Sequence, residues 1–178
     1  MAEALAAAYR PTNPRHPPSP LDPASPKGLN AMGVLAYHPE LTAAYNNLIS
    51  HALYFTTITP RQRELLILRV AHQRGSRYEW AQHVYQAGVA GLTADEVERV
   101  RSGAEAEGWD ELDAALLSAA DELVADARIG DATYAVLSRV LETRQLMDVV
   151  FTVGAYEVFA MAMRTFDVPL DDDLQPFT

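Results

Sequence analysis

The sequence contains no cysteine among its 178 residues. Disulfide bonds, thiolate metal ligands and cysteine nucleophiles are therefore all excluded, although the redox compartment stays undetermined. Proline is scarce in the larger part of the chain, because only Pro60 falls between Leu41 and Val168, while most of the others lie between Pro11 and Pro39. Since proline disrupts helix interiors, we expect the folded body to begin near Pro39.

Basic residues are also few, and the formal net charge is −10. The lysines and arginines form no basic stripe, so a phosphate backbone is not an expected partner, and we predict that the protein binds no nucleic acid. The first residues, Met1–Ala8, have little basic charge and no sustained apolar core, so they do not indicate a secretory signal. Cytoplasmic residence is the default expectation.

A long uninterrupted hydrophobic run is missing as well. The most apolar stretch, Leu146 to Met163, contains Asp148, Gly154 and Glu157. We interpret it as a buried helix and predict no membrane span. Because this helix is apolar on nearly all sides, it must be enclosed by its own core, by other subunits or by both, which predicts a homo-oligomer.

The composition divides the chain into three parts. Residues 1–36 form a proline-rich N-terminal arm, 37–168 a single helical domain, and 169–178 an acidic C-terminal tail. The segment Tyr9–Lys27 favours extended conformations and is expected to lie on the body or on a neighbouring subunit. The tail, with Asp171–Asp173, is expected to be a solvated terminus without function.

The fold class predicted for the body is all-α, with six or seven helices, because apolar residues recur at helical spacing and no long run alternates with period two. Capping boxes predict two helix starts, one at Thr59 with Gln62 and one at Thr93 with Glu96. Gly75 marks a helix end. The predicted helices are 41–55, 60–74, 78–87, 94–101, 110–126, 134–141 and 145–166.

Three residues form a candidate acid–base constellation. Glu64 shares a helix face with apolar residues at 67, 68 and 71, so its carboxylate should be partly buried. Glu79 and His83 are four residues apart on one helix, which stacks a carboxylate on an imidazole, and the two can titrate as a coupled pair. Such a trio can transfer protons without any cofactor.

Other interpretations of these residues stay open. The Glu79–His83 pair is often a solvated surface contact, and Glu64 can pair with Arg61 or Arg63 on its own helix. A metal site is not predicted, because Glu79 and His83 lack a third ligand at short spacing. The neighbouring side chains can line a pocket or simply pack in the core, and they are Tyr78, Trp80, Tyr85 and His72.

The segments Pro60–Ala71 and Tyr78–His83 resemble the carboxymuconolactone decarboxylase family, which includes alkylhydroperoxidase D. The resemblance extends more loosely over Leu35 to Val168. It implies a compact helical protomer, often assembled as a trimer or hexamer with pockets near subunit contacts.

The peroxidase branch of that family carries a glutamate, a Cys-x-x-Cys pair and a histidine four residues after the second cysteine. In this sequence the glutamate falls on Glu64, the histidine on His83, and the cysteine positions on Ser76 and Glu79. Neither replacement can exchange a disulfide, so thiol-based peroxide reduction is excluded.

What remains resembles the decarboxylase branch, which implies action on a small carboxylated lactone without metal or organic cofactor. Carried over, the resemblance makes His83 the proton donor or acceptor, with Glu79 orienting its ring and Glu64 completing the relay. Ser76 or Arg77 would stabilise the negative charge that develops. The predicted substrate-binding residues are Ser76, Arg77, Tyr78, Trp80 and His72.

Two alternatives to decarboxylation remain. The same relay would serve an isomerase or dehydratase acting on another small cyclic metabolite, and the residues do not say whether CO₂ leaves. A non-enzymatic helical oligomer that binds a small molecule is the second, although the presence of both Glu64 and His83 weighs against it.

Overall fold

The computed structural model describes residues 14–16 and 25–178, so most of the predicted N-terminal arm lies outside the described residues. The described part is all-helical and contains no strand, which confirms the predicted fold class. Its α-helices are α1 Leu29–Leu35, α2 Pro39–Ser50, α3 Pro60–Arg74, α4 Arg77–Val89, α5 Ala94–Ser102, α6 Glu111–Asp126, α7 Asp131–Leu137 and α8 Thr143–Thr165, followed by a 3-10 helix, Asp172–Phe177.

Helix α3 is the centre of the protein. It begins with the predicted capping box, in which the Thr59 hydroxyl accepts from the Gln62 amide and the Gln62 side chain accepts from the Thr59 amide. It ends at Gly75, whose φ of 61° is the left-handed conformation that favours glycine. Every residue from Arg63 to Ala71 is buried, because α3 packs against α4, α6 and α8.

The first predicted helix, 41–55, starts two residues late but ends where the observed helical segment ends. Helix α2 already begins at Pro39, and its last turn widens into a π-helical turn, His51–Phe55. Asp148 of α8 anchors this turn, since its carboxylate accepts from Thr57 and contacts the His51 ring at 2.8 Å. His51 is therefore a hydrogen-bonded structural histidine.

Two further predicted boundaries need correction. The sixth helix was expected over 134–141, but α7 spans Asp131–Leu137. It starts earlier because Glu122 accepts hydrogen bonds from the Gly130 amide and the Thr133 hydroxyl, which stabilises its first turn. It also ends earlier, at Leu137. The residues that follow form a turn, and this turn places Leu141 in the core.

Helix α8 is the one described helix that is long and apolar enough to cross a membrane, with a mean hydropathy of 1.5 over its apolar window. Half of that window is buried inside the protein, as in the core helix of a soluble domain. The opposite side carries an apolar row that we call the α8 stripe, in which each side chain is more than half exposed; it consists of Met147, Phe151, Val158 and Met161.

Helix α1 and the acidic tail pack together, which the sequence analysis did not predict. The expectation that Asp171–Asp173 is a solvated terminus fits the exposed Asp172 and Asp173, but it was wrong for Asp171. Asp171 accepts hydrogen bonds from the Asn30 amide and the Tyr78 hydroxyl, and Leu174 is fully buried. The tail acts as a structural clamp because its carboxylates satisfy amide groups at the start of α1, where no side chain of the helix itself does so.

Candidate active site

Buried contacts between an arginine, a glutamate and a histidine join α3 to α4. His83 Nδ1 lies 2.7 Å from Glu64 Oε2, and the other oxygen of Glu64 accepts from Arg63 Nε at 2.8 Å. Glu64 is fully buried, and His83 is only 5% exposed. We call Arg63, Glu64 and His83 the relay. Packing of α3 against α4 creates it, because the glutamate and the histidine are far apart in sequence.

The charges of the relay keep Glu64 ionised. Burial alone would raise the pKa of the Glu64 carboxyl, but the charges and hydrogen bonds of His83 and Arg63 hold this pKa below its usual value of 4.5. An ionised carboxylate can only accept hydrogen bonds, so His83 Nδ1 must carry the hydrogen of their contact. The same hydrogen bond fixes the orientation of the His83 ring and leaves Nε2 as the nitrogen that Glu64 does not occupy.

A cavity of about 550 Å³ borders His83. Its walls come from α1, α2, the π-helical turn, α3, α4 and α8, and from His16 and residues 25–28 before α1. They are largely apolar and aromatic, and five of the lining residues are tyrosines: Tyr45, Tyr54, Tyr78, Tyr85 and Tyr156. The Tyr156 ring meets the His83 ring edge-on, with centroids 4.9 Å apart at 90°. A pocket of this size and composition fits a small ring-containing molecule.

Residues 39–122 match the model of the Carboxymuconolactone decarboxylase family. These residues belong to that family. No curated protein is similar enough in sequence to match this chain. The matched range holds the whole relay, together with the helices that carry it.

Solved structures show the same fold at low sequence identity. The debrominase Bmp8 in complex with 2,3,4-tribromopyrrole has a TM-score of 0.72 at 13% identity and covers 88% of each chain. An uncharacterized peroxidase-related protein from Silicibacter sp. TM1040 has a TM-score of 0.70 at 17% identity, covering 93% of this chain and 96% of its own. A protein from Ralstonia eutropha JMP134 with an alkylhydroperoxidase AhpD core has a TM-score of 0.71 at 15% identity, covering 82% and 78%. The chain therefore has the AhpD-like fold.

Glu79 stands at the position of the second cysteine of the family's peroxidase branch. We predicted that it would orient the His83 ring, but it forms no hydrogen bond to that ring. Both of its oxygens are buried without a hydrogen-bond partner, and the His83 ring is instead held by Glu64. The helical spacing was correct, but packing brought the Glu64 carboxylate of α3 closer to the ring. Burial, and secondarily the negative charge of Glu157, raises the pKa of Glu79 well above 4.5, which favours the neutral, protonated form of the carboxyl.

This neutral acid makes stability depend on pH. Below pH 4.5, Glu79 is protonated in both the folded and the unfolded protein. As the pH rises towards the raised folded pKa, only the unfolded chain releases the proton, so stability falls by up to about 1.4 kcal/mol per pH unit. We expect Glu79→Gln to remove this slope and to be about 1 kcal/mol or more stabler than wild type at neutral pH.

Urea unfolding of both proteins between pH 4 and pH 8 measures this difference. Glu98→Gln is the matched control, because Glu98 is exposed and forms a surface ion pair with Arg101 of its own helix. Parallel pH profiles for wild type and Glu79→Gln would contradict the assignment of a buried neutral acid.

The residues predicted to bind substrate are distributed unevenly around the site. Tyr78 lines the cavity, and its hydroxyl bonds with Asp171 and the Ala31 amide. Ser76 is buried without a partner for its hydroxyl and does not line the cavity, and Arg77 is exposed. Arg77 does not line the cavity either.

Trp80 and His72 lie outside the cavity as well. The Trp80 ring packs in a hydrophobic cluster with buried residues of α3 and α5. The Arg101 guanidinium lies 3.9 Å from the centre of this ring, and the His72 ring lies beside it at 6.1 Å. The core interpretation fits Trp80. Sequence reasoning missed Arg63, Tyr156 and Gln82, which do line the cavity, because no local spacing links helices α3, α4 and α8.

The described residues contain no group of three or more histidine, aspartate or glutamate side chains that could hold a metal ion. The sequence contributes no cysteine. The chemistry that these residues can support directly is proton transfer, since the relay offers one imidazole whose orientation is set by a buried carboxylate.

Proposed function

We propose that the protein is an acid–base enzyme that needs no cofactor and acts on a small ring-containing acid, with decarboxylation of a lactone such as 4-carboxymuconolactone as the leading reaction. The supporting observation is the 2.7 Å contact between His83 Nδ1 and Glu64 Oε2 at the edge of a ring-sized cavity. The family to which residues 39–122 belong and the AhpD-like fold are consistent with small-molecule chemistry.

In this proposal, the protonated His83 ring is the acid. The bond between the ring carbon and the carboxylate breaks, CO₂ leaves, and the electron pair stays on the substrate as an enolate. His83 Nε2 then gives its proton to that carbon, and the neutral imidazole is protonated again by solvent. Glu64 assists because its negative charge stabilises the imidazolium.

Glu79 has a different role in this proposal from the one expected from the sequence, because Glu64 and not Glu79 bonds to His83. The Glu79 carboxyl has no hydrogen bond to the His83 ring, so the carboxylate that orients this ring is that of Glu64. We propose Glu64 and His83 as the functional pair, and Glu79 as a buried acid that contributes to the shape and polarity behind the site.

The size of the cavity supports a ring-shaped substrate. A protein of the same fold, the debrominase Bmp8, has been solved in complex with 2,3,4-tribromopyrrole, which is also a small substituted ring. That likeness concerns the fold and the scale of the ligand. It does not distinguish decarboxylation from isomerisation or dehydration, which the same relay would also serve.

The first experiment is to incubate the purified protein with γ-carboxymuconolactone and follow the lactone by proton NMR. Loss of the carboxylate supports decarboxylation, whereas a changed ring with all carbons retained supports the isomerase or dehydratase alternative. Absence of any turnover with this lactone and with related enol acids would favour the non-enzymatic binding protein.

We also propose that the protein is a homo-oligomer that buries the α8 stripe, since apolar side chains in one row rarely stay exposed to water. Phe151→Glu and Met161→Glu together should then lower the molar mass found by light scattering from that of a trimer or hexamer towards the monomer. Tyr37→Glu is the control, because Tyr37 is 92% exposed and belongs to the turn between α1 and α2, not to α8. An unchanged mass would rule out this surface as the contact.

A further inference from the structure

Arg63 lines the cavity, and its guanidinium has a hydrogen-bond donor that the relay does not use. Its Nε donates to Glu64 and its Nη1 donates to the Leu53 carbonyl at 2.7 Å. Its Nη2 has no partner among the described residues, although the arginine lines the cavity and is only 8% exposed. A nearly buried guanidinium donor without a protein partner is a site that attracts an anion.

The charges of the residues that line the cavity also favour an anion. The chain has 24 acidic residues and a net charge of −10, yet no aspartate or glutamate is among the described residues that line the cavity. The lining does include Lys27, Arg63 and two histidines. Because the described part of the wall carries no carboxylate, the cavity would admit an organic anion that the acidic surface repels.

Arg63, and not Lys27, is the residue placed to select that anion. Lys27 is exposed, so water screens its charge, whereas the Arg63 guanidinium is shielded by the π-helical turn that carries Leu53. The Glu64 carboxylate bridges the two groups, with Arg63 Nε 2.8 Å from one of its oxygens and His83 Nδ1 2.7 Å from the other. Both residues also line the same cavity. A single small ring can contact both.

We propose that Arg63 is a specificity-determining residue that binds a carboxylate of the substrate and so holds the ring with its reacting carbon at His83. This proposal rests on the proposed function for the role of His83 only. The substrate class it names is a small aromatic or alicyclic carboxylate, whose acid group lies on Arg63 and whose ring packs on the tyrosines of the cavity.

The test compares benzoate with benzamide, two unreactive rings of nearly the same shape that differ in charge. Calorimetric titration of the full chain should give at least ~10-fold tighter binding of benzoate, because a charge-assisted contact with arginine is the main difference. Arg63→Met should reduce this preference to near unity. The matched control Arg61→Met should keep it, because Arg61 is on the same helix but pairs with Glu96 and Asp113.

Equal binding of the two probes to wild type would overturn the proposal, as would failure of benzoate to bind at millimolar concentrations. A preference that survives in folded Arg63→Met would also overturn it. If Arg63→Met does not fold, two measurements still test the proposal. These are the preference of wild type for benzoate over benzamide and the weaker preference that we expect for Arg63→Lys. His83→Ala should keep the preference, so loss of turnover with intact benzoate binding separates the failure of this inference from the failure of the proposed reaction.

Discussion

Replacing His83 by alanine should lower turnover of the substrate by about 100-fold or more, which is the usual contribution of a group that transfers a proton. The side chain borders the cavity, and its Nδ1 is held by an ionised carboxylate, so the variant removes the one imidazole that the relay orients. The decrease should appear in kcat and in kcat/KM alike, because proton transfer acts in the transition state. Proton NMR of the lactone under identical conditions gives both rates.

His72→Ala is the matched control for this experiment. His72 is also a helical histidine, but its ring packs beside Trp80 and lies outside the cavity. We expect its turnover to stay within about threefold of wild type, since no acid–base role is removed. If His83→Ala and His72→Ala lose activity equally, His83 is not the proton-transferring group.

Replacing Glu64 by glutamine should lower the free energy of unfolding by about 3 kcal/mol at neutral pH, within the range found when one partner of a buried ion pair is removed. The glutamine has nearly the same shape but leaves the buried Arg63 guanidinium without a counter-charge. It also exchanges a carboxylate for an amide at the 2.7 Å contact with His83, so activity should fall as well.

The loss of stability should depend on pH in a defined direction. The folded pKa of Glu64 is lower than its usual value of 4.5, so the stability it contributes is present above that pH and is lost as the pH falls through the folded pKa. The difference between wild type and Glu64→Gln should therefore shrink in acid. Urea unfolding followed by circular dichroism at neutral and acid pH measures it.

Two further variants complete the test of Glu64. Glu111→Gln should change stability by less than about 1 kcal/mol, because its pair with Arg139 is on the surface. The double variant Arg63→Met with Glu64→Gln should be less destabilised than the sum of the single changes, since neither charge is then left alone. An effect of Glu64→Gln as small as that of Glu111→Gln would mean that the buried pair does not stabilise the fold.

Much of the fold could be predicted because its determinants are local. The capping boxes at Thr59 and Thr93, the glycine end at Gly75 and the apolar spacing of the helices each depend on residues within a few positions of one another. Helix α1 and the clamp by Asp171 could not be found this way. Their stabilising bonds link the two ends of the chain, and a short helix without a cap of its own leaves no local signal.

The candidate site illustrates the same limit. Spacing on one helix placed Glu79 next to His83, but the ring is bonded to Glu64 of another helix, and Glu79 is left as an isolated neutral acid. Trp80 looked equally suitable for a pocket or a core, and only the position of Arg101 above its ring shows that it packs away from the cavity. Arg63 attracted no attention as a binding residue, because its free donor becomes visible only when its other partners are known.

The amino-acid order alone determined which chemistry this protein can lack or contain. Without cysteine it has no thiol, and Glu64 and His83 supply the acid–base groups. It also determined most helix boundaries, since caps and apolar periodicity act over a few residues. Packing of α3 against α4 and α8 decided which carboxylate meets the imidazole and which cation faces the cavity, because these contacts join residues that are distant in sequence and whose charges matter only once they are buried together.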